Sequence, residues 1–346
     1  MILLHLLLYV SSLDENELII KQSFVDKINA NSKSSYKAKI NHQFSILKIK
    51  DVNHFLSPIR RYLLMHENPN TYMAYDSNHL NYTHVITGYT NEKIKISPSA
   101  FTIYDNRLFC SSWAPAVTSA MSLALSIHTK KIINLSIQFI IDCDLFGDSC
   151  IHRPAINAYE QFYRRLIPES DQWDQPKKYD RTPPQNLTKE VCDDGKSCFP
   201  GWKNGSRYQV LSGSCGTSDS FKNCPVFALY NWKWMKSHLW EIGPITSTIL
   251  VRRSFFMYDG GVYSSKANQI DDPILGMLDV TIIGWGEKEN PNSSIDDRWW
   301  YVIPHLGRDF GEIAKNIFLD ELERKNFGYF DENQRTGIIR LAMGID

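Results

Sequence analysis

The 346-residue chain is 43% hydrophobic and carries 38 basic against 38 acidic side chains, for zero formal net charge and a pI near 7.1. That length and apolar content suffice for one large core or two smaller ones. The neutral, mixed surface excludes the basic field that would draw nucleic acid or an anionic membrane. No zinc-ligand spacing, phosphate loop, dinucleotide fingerprint or internal repeat occurs, so no metal or cofactor is expected.

Residues 1–12 read as a secretory signal: Met1 to Val10 is nearly all apolar, too short to span a bilayer, and ends in Ser11-Ser12. No later segment approaches a transmembrane span. Five sequons, at Asn81, Asn134, Asn186, Asn204 and Asn292, fit a secreted or lysosome-like compartment and are glycosylation candidates. The seven cysteines all fall between Cys110 and Cys224, and in an oxidising compartment such clustering implies local disulfides with at least one thiol left over.

Along the chain, Asp14 is expected to cap an amphipathic helix with Ile20, Phe24, Val25 and Ile28 on one face. Ser57-Pro58 reads as a second helix start. His66 to Lys95 is polar and aperiodic, as a linker would be. Pro115 to Ile127 has helical spacing, with Val117, Ala120, Met121 and Ala124 on one face. Ser136 suits a helix cap ahead of Ile137, Ile140 and Ile141. Trp234 to Trp240 is helix-like, and Gly243-Pro244 ends it. Short β-rich runs follow at Ile245–Val251, Val280–Ile283, Trp299–Ile303 and Ile338–Met343. Helices first and strands later predict an α+β chain of two unlike lobes.

One stretch organises the rest. Asp105-Asn106-Arg107 leads into Phe109-Cys110-Ser111-Ser112-Trp113-Ala114 at a helix start, where peptide dipoles favour negative charge and can turn a thiol into a nucleophile. It resembles the nucleophile segment of papain-like cysteine proteases, Asp-Gln-Gly-x-Cys-Gly-Ser-Cys-Trp-Ala. Further landmarks follow in family order: Leu135-Ser136…Asp142-Cys143, Gly147-Asp148-Ser149-Cys150, Gly243-Pro244, Tyr258 to Tyr263, Gly284-Trp285-Gly286 and Phe310-Gly311. Ile28 to Asn31, Tyr36 to Ala38, Asn41 and Phe44 are similar to the short propeptide of the cathepsin B-like branch.

The resemblance implies a papain-like two-lobe fold. A propeptide-like region at 13–75 would precede a helical left lobe at 76–240 and a β-barrel-like right lobe at 241–346. It also implies disulfides Cys110–Cys150 and Cys143–Cys192. Its catalytic positions are substituted. Counted from the family landmarks, the nucleophile slot holds Ser112, the base slot Leu278, the orienting-amide slot Pro304, and the oxyanion-donor slot Asn106 in place of Gln. A helix start alone cannot ionise a serine hydroxyl, Leu278 has no titratable group, and Pro304 has neither a side-chain amide nor a backbone N–H. Two neighbours could rescue the chemistry, His305 and Asp279, but strand alternation is expected to point both away from the cleft. His152 and Arg153 stand where the family has two glycines along the substrate wall, and Gln172 to Gln185 lacks the histidines of a dipeptide-trimming loop.

The expectation is a catalytically inactive, monomeric homologue that binds an unknown peptide or protein partner or serves as a scaffold. The alternative is an active papain-like peptidase or serine-variant hydrolase using Ser112 or Cys110 with an unrecognised base.

Overall fold

A computed structural model describes residues 14–52, 55–57, 84–85, 103–108, 112–129, 131–142, 159, 166–171, 207–209, 232–241, 243–264, 272–287, 298–313 and 335–343. The segments expected to form the signal, both disulfides, most of the linker, four of the sequons and the wall at His152 and Arg153 lie outside these residues.

The first helix, α1, spans Gln22–Ala30 and buries Val25 and Ile28. Asp14 does not cap it. Its carboxylate instead accepts from the Asn16 amide two residues on, closing a turn, and the helix opens at Lys21 without a side-chain cap. Strand β1 (Tyr36–Ala38) and a one-turn helix α2 (Ile49–Val52) follow. Ser57, expected at a helix start, is extended at its described end: its N–H donates to the Met277 carbonyl at 2.7 Å, and the Met277 N–H donates back at 2.9 Å. A two-residue strand β2 (His84–Val85) precedes the long helix α3, Trp113–Thr129.

The α3 helix is apolar nearly all round, as a central helix must be. Trp113, Ala114, Ala116 and Val117 are each at most 1% exposed. Three of its hydroxyls donate to carbonyls one turn back, those of Thr118 and Ser126 inside the core and that of Thr129 at the exposed end. The Ser136 hydroxyl accepts from the Phe139 N–H at 3.1 Å and caps α4 (Ile137–Asp142), with Ile137, Ile140 and Ile141 buried as the pattern predicts. Strands β3 (Leu166–Pro168) and β4 (Arg207–Gln209) form a separate antiparallel pair. Helix α5 (Trp232–Glu241) ends before Gly243.

The remaining strands are β5 (Ile245–Arg252), β6 (Tyr258–Tyr263), β7 (Ile274–Glu287), β8 (Arg298–Ile303) and β9 (Ile339–Ala342). They lie in one seven-stranded sheet ordered β1-β6-β9-β8-β7-β2, with β5 also paired to β7. All pairs are antiparallel except β6 with β9. The β7 strand is the backbone of the lobe. Its first half pairs with β5 and its second half with β8, and eleven of its fourteen residues are buried, giving the near-continuous apolar run seen in the sequence.

The main hydrophobic cluster merges the N-terminal segment with this sheet. Ile19, Ile28, Tyr36, Phe44, Phe55 and Leu56 pack in the same cluster as Phe255, Phe256, Tyr258, Leu278 and Trp285. Phe44 meets Phe256 and Phe310 edge-on at centroid distances of 5.2 and 5.7 Å, and Tyr36 lies 4.9 Å from Tyr263. Each such side chain contributes about 1.5–3 kcal/mol on burial. Residues 14–57 therefore belong to the right lobe's core.

Candidate active site

Ser112 stands one residue before α3, where the helix dipole and free N–H groups would favour an anion. Its side chain is fully buried and bonded on both sides. The hydroxyl donates to Asp279 Oδ2 at 2.7 Å and accepts from the Asp279 backbone N–H at 3.0 Å. The other carboxylate oxygen accepts from the Thr248 hydroxyl at 2.7 Å. Thr248 lies directly opposite Asp279 in the β5–β7 ladder, so the register alone brings the two together. One carboxylate thus ties the start of α3 to two strands.

Leu278 faces the other way, into the main core opposite Ile249 on β5. The expectation that Asp279 would point away from the cleft is corrected: it is Asp279 that meets Ser112. The physical reason is a β-bulge. Between Ile282 and Gly284 the β7–β8 register slips, so a count back from Gly284 cannot by itself say which of the two residues faces the helix.

His305 follows the end of β8 in a left-handed backbone conformation, φ 53°, which removes it from strand alternation. Its ring turns to Thr281 rather than Ser112, with Nε2 3.0 Å from the Thr281 hydroxyl. That hydroxyl donates its only proton to the Ala116 carbonyl at 3.0 Å. It must therefore accept from His305, which fixes the Nε2–H tautomer and leaves Nδ1 with a free lone pair. Burial holds the imidazole neutral, with its pKa pushed down to about 3. Tyr104 lies 5.6 Å from the ring.

Pro304 contributes only its carbonyl, which accepts from the Asn106 side-chain amide at 3.3 Å. Asn106 is fully buried, and its backbone N–H donates to the His305 carbonyl at 2.7 Å. One of its amide N–H groups is thus turned toward the end of β8. Leu306 is buried in the core and bridges to Asp105.

The structure therefore joins Ser112 to Asp279 and Asn106 to Pro304, and places Leu278 in the main core. Sequence reasoning missed Thr248 and Thr281. The signal was available: Asp279 and Thr281 are the polar residues two apart in an otherwise apolar run, the period of a strand face turned toward something polar. Among the described residues no His, Cys, Asp or Glu group could hold a metal ion, and no helix is long and apolar enough to cross a membrane.

Residues 96–315, more than half the chain, match the family model described as papain family cysteine protease. The chain belongs to the papain family. Among curated relatives it is 25% identical over 213 residues to the human tubulointerstitial nephritis antigen-like protein, a match covering 58% of this chain and 44% of that one. It is 23% identical over 236 residues to cathepsin B-like cysteine proteinase 2 of Haemonchus contortus, with 62% of each chain covered. The match thus spans less than two thirds of either relative.

In fold, the chain resembles procathepsin B S9 from Trypanosoma congolense, with TM-score 0.60, 17% identity and 95% and 94% of the two chains covered. It also resembles the proform of the ragweed pollen cysteine protease Amb a 11, with TM-score 0.54, 16% identity and coverage of 93% and 78%. Both are papain-family proteins in their proforms, which accords with an N-terminal segment packed against the right lobe.

Proposed function

We propose that this papain-family chain is catalytically inactive and acts as a secreted binding or scaffold protein. One observation carries the reading: the hydroxyl in the nucleophile position is sealed between the carboxylate and the backbone N–H of Asp279. A serine nucleophile needs a base able to take its proton as the bond forms. An aspartate, with an ordinary pKa near 3.9, is a far weaker base than an imidazole near 6.5. The His305 imidazole at this seam is hydrogen-bonded to Thr281 and held neutral by burial. At the oxyanion position, the Asn106 amide commits one of its two N–H groups to the Pro304 carbonyl.

The human relative matched by sequence carries an antigen's name rather than a peptidase's, which supports the same reading. The apolar stretch at residues 1–12 and the five sequons support secretion. The partner is a peptide or protein held in the cleft or on a lobe surface.

The test is to incubate the purified chain with a peptidic epoxide and, separately, a fluorophosphonate, and to read the intact mass. The expected result is no adduct. A stoichiometric adduct on Ser112 or Cys110 would overturn the inactive reading.

A further inference from the structure

Strand β5 is an edge that the fold leaves open. On its neighbour β7, the Met277 and Asp279 N–H groups donate away from β5, to the Ser57 carbonyl and the Ser112 hydroxyl. Backbone direction alternates along a strand. Leu278, Val280 and Ile282 therefore turn toward β5 and bond Ile249, Ser247 and Ile245, which lie opposite them. The N–H and C=O groups of Thr246, Thr248 and Leu250 are left pointing to the other edge of β5. Among the described residues no strand pairs with that edge.

The β1 edge of the same sheet is closed. Its outward groups belong to Tyr36 and Ala38. The Asn29 side chain brackets Ala38, accepting from its N–H at 2.9 Å and donating to its carbonyl at 2.8 Å. The Ser34 hydroxyl donates to the Tyr36 carbonyl at 2.8 Å. Exposed Lys37, between them, adds a charge that discourages pairing. Strand β5 has none of these devices. Residues 245–251 carry no charge and no proline, and most are β-branched. From Ile245 to Leu250 the side chains on both faces are only half-buried.

The order of residues in the strand points to its occupant. Ile245-Thr246-Ser247-Thr248-Ile249 reads the same in both directions. Two copies laid antiparallel about a two-fold axis at Ser247 set Thr246 against Thr248 and Ile245 against Ile249 on each side of the axis. The outward groups of Thr246 and Thr248 then satisfy one another, and the side chains meet in matched β-branched pairs that stabilise an antiparallel ladder. Leu250 falls opposite Pro244, whose carbonyl can accept the Leu250 N–H. Proline's missing N–H leaves only the Leu250 carbonyl unmet, at the end of the ladder.

We propose that β5 pairs with β5 of a second copy of this chain, joining two right lobes through one antiparallel sheet. The proposal goes beyond the function argued above, holds whether or not Ser112 is reactive, and replaces the monomer expected from the sequence.

The test is sedimentation velocity of the purified full chain from low to high micromolar concentration, with amide exchange read residue by residue at both ends. The mass is expected to rise from that of one chain to twice that value. Exchange should slow with it at Thr246, Thr248 and Leu250, while Ile245, Ser247 and Ile249, already bonded to β7, stay as they were. Thr246→Pro removes an outward N–H and no bond to β7, so it is expected to remain a single chain with an unchanged circular dichroism spectrum. Thr246→Val loses the hydroxyl that meets Tyr159 but keeps the N–H, and is expected to dimerise as the parent does. If Thr246→Pro does not fold, the exchange pattern of the parent decides alone. A single chain at every concentration overturns the proposal. So does a dimer in which the three outward amides exchange as before, or one that survives in folded Thr246→Pro. Slow exchange at those amides in the single chain means that the chain covers its own edge, and overturns it as well.

Discussion

At Asp279 one carboxylate serves two hydroxyls from two other elements, Ser112 ahead of α3 and Thr248 on β5. Its substitution by alanine would strand both in a buried seam. Asp279→Ala is expected to lower unfolding free energy by about 3–5 kcal/mol, measured by urea unfolding against the parent chain. Ser112→Cys tests the chemistry from the other side. A thiol at the helix start would ordinarily be acidified, but the Asp279 carboxylate beside it disfavours a second negative charge. The variant is expected to react with iodoacetamide at pH 7 no faster than an ordinary buried cysteine and to hydrolyse no peptide. Rapid alkylation would show that the carboxylate does not control this position. Pro304 carries no side-chain amide to hold an imidazole; the Asn106 amide donates to its carbonyl, and the His305 ring is bonded to Thr281.

Among the elements, β7 matters most, because four structures meet along its length: β5, β8, the Phe55–Ser57 end of the N-terminal segment and β2. Gly276→Ala tests the third of these alone. The new methyl would press on Leu56 and the Ser57 carbonyl, so the variant is expected to lose about 1–3 kcal/mol of stability, as overpacked core sites do. Faster hydrogen exchange confined to residues 55–57 and 277 would locate the damage, and unchanged exchange there would refute the contact. Helix α3 and strands β5, β8 and β9 were legible in the sequence to within one or two residues, because period and length agree over each. The N-terminal helix was displaced by the turn that Asp14 forms. The helix expected after Ser57 lies outside the described residues, and Ser57 itself is paired with Met277, far away in the chain.

For the whole molecule, buried His305 and half-buried His238 contribute to the response to acid among the described residues. Burial pushes His305 down to about 3 and His238 down to about 4. Each folded-state value lies below the free imidazole's 6.5, so the unfolded chain binds more protons throughout that interval. Their contribution is complete above pH 6.5 and is lost as pH falls toward 4 and 3, at about 1.4 kcal/mol per pH unit for each histidine. The urea midpoint is expected to fall between pH 7 and pH 5. His305→Gln, which keeps a donor for Thr281 but does not titrate, should flatten that fall. Equal slopes for the two chains would show that His305 is not the group responsible.

The sequence by itself determined the family and the α+β class, because ordered landmarks and residue types are one-dimensional facts. It could not determine which side chain meets Ser112. That depended on a bulge at Ile283, a left-handed turn at His305 and a threonine brought opposite Asp279 by strand register. Nor could it show that residues 14–57 share the right lobe's core, since that follows from contacts such as Arg253 with Leu18 and Ile19 across more than two hundred residues. Local pattern fixes which face a residue prefers, while pairing between distant strands decides what it faces.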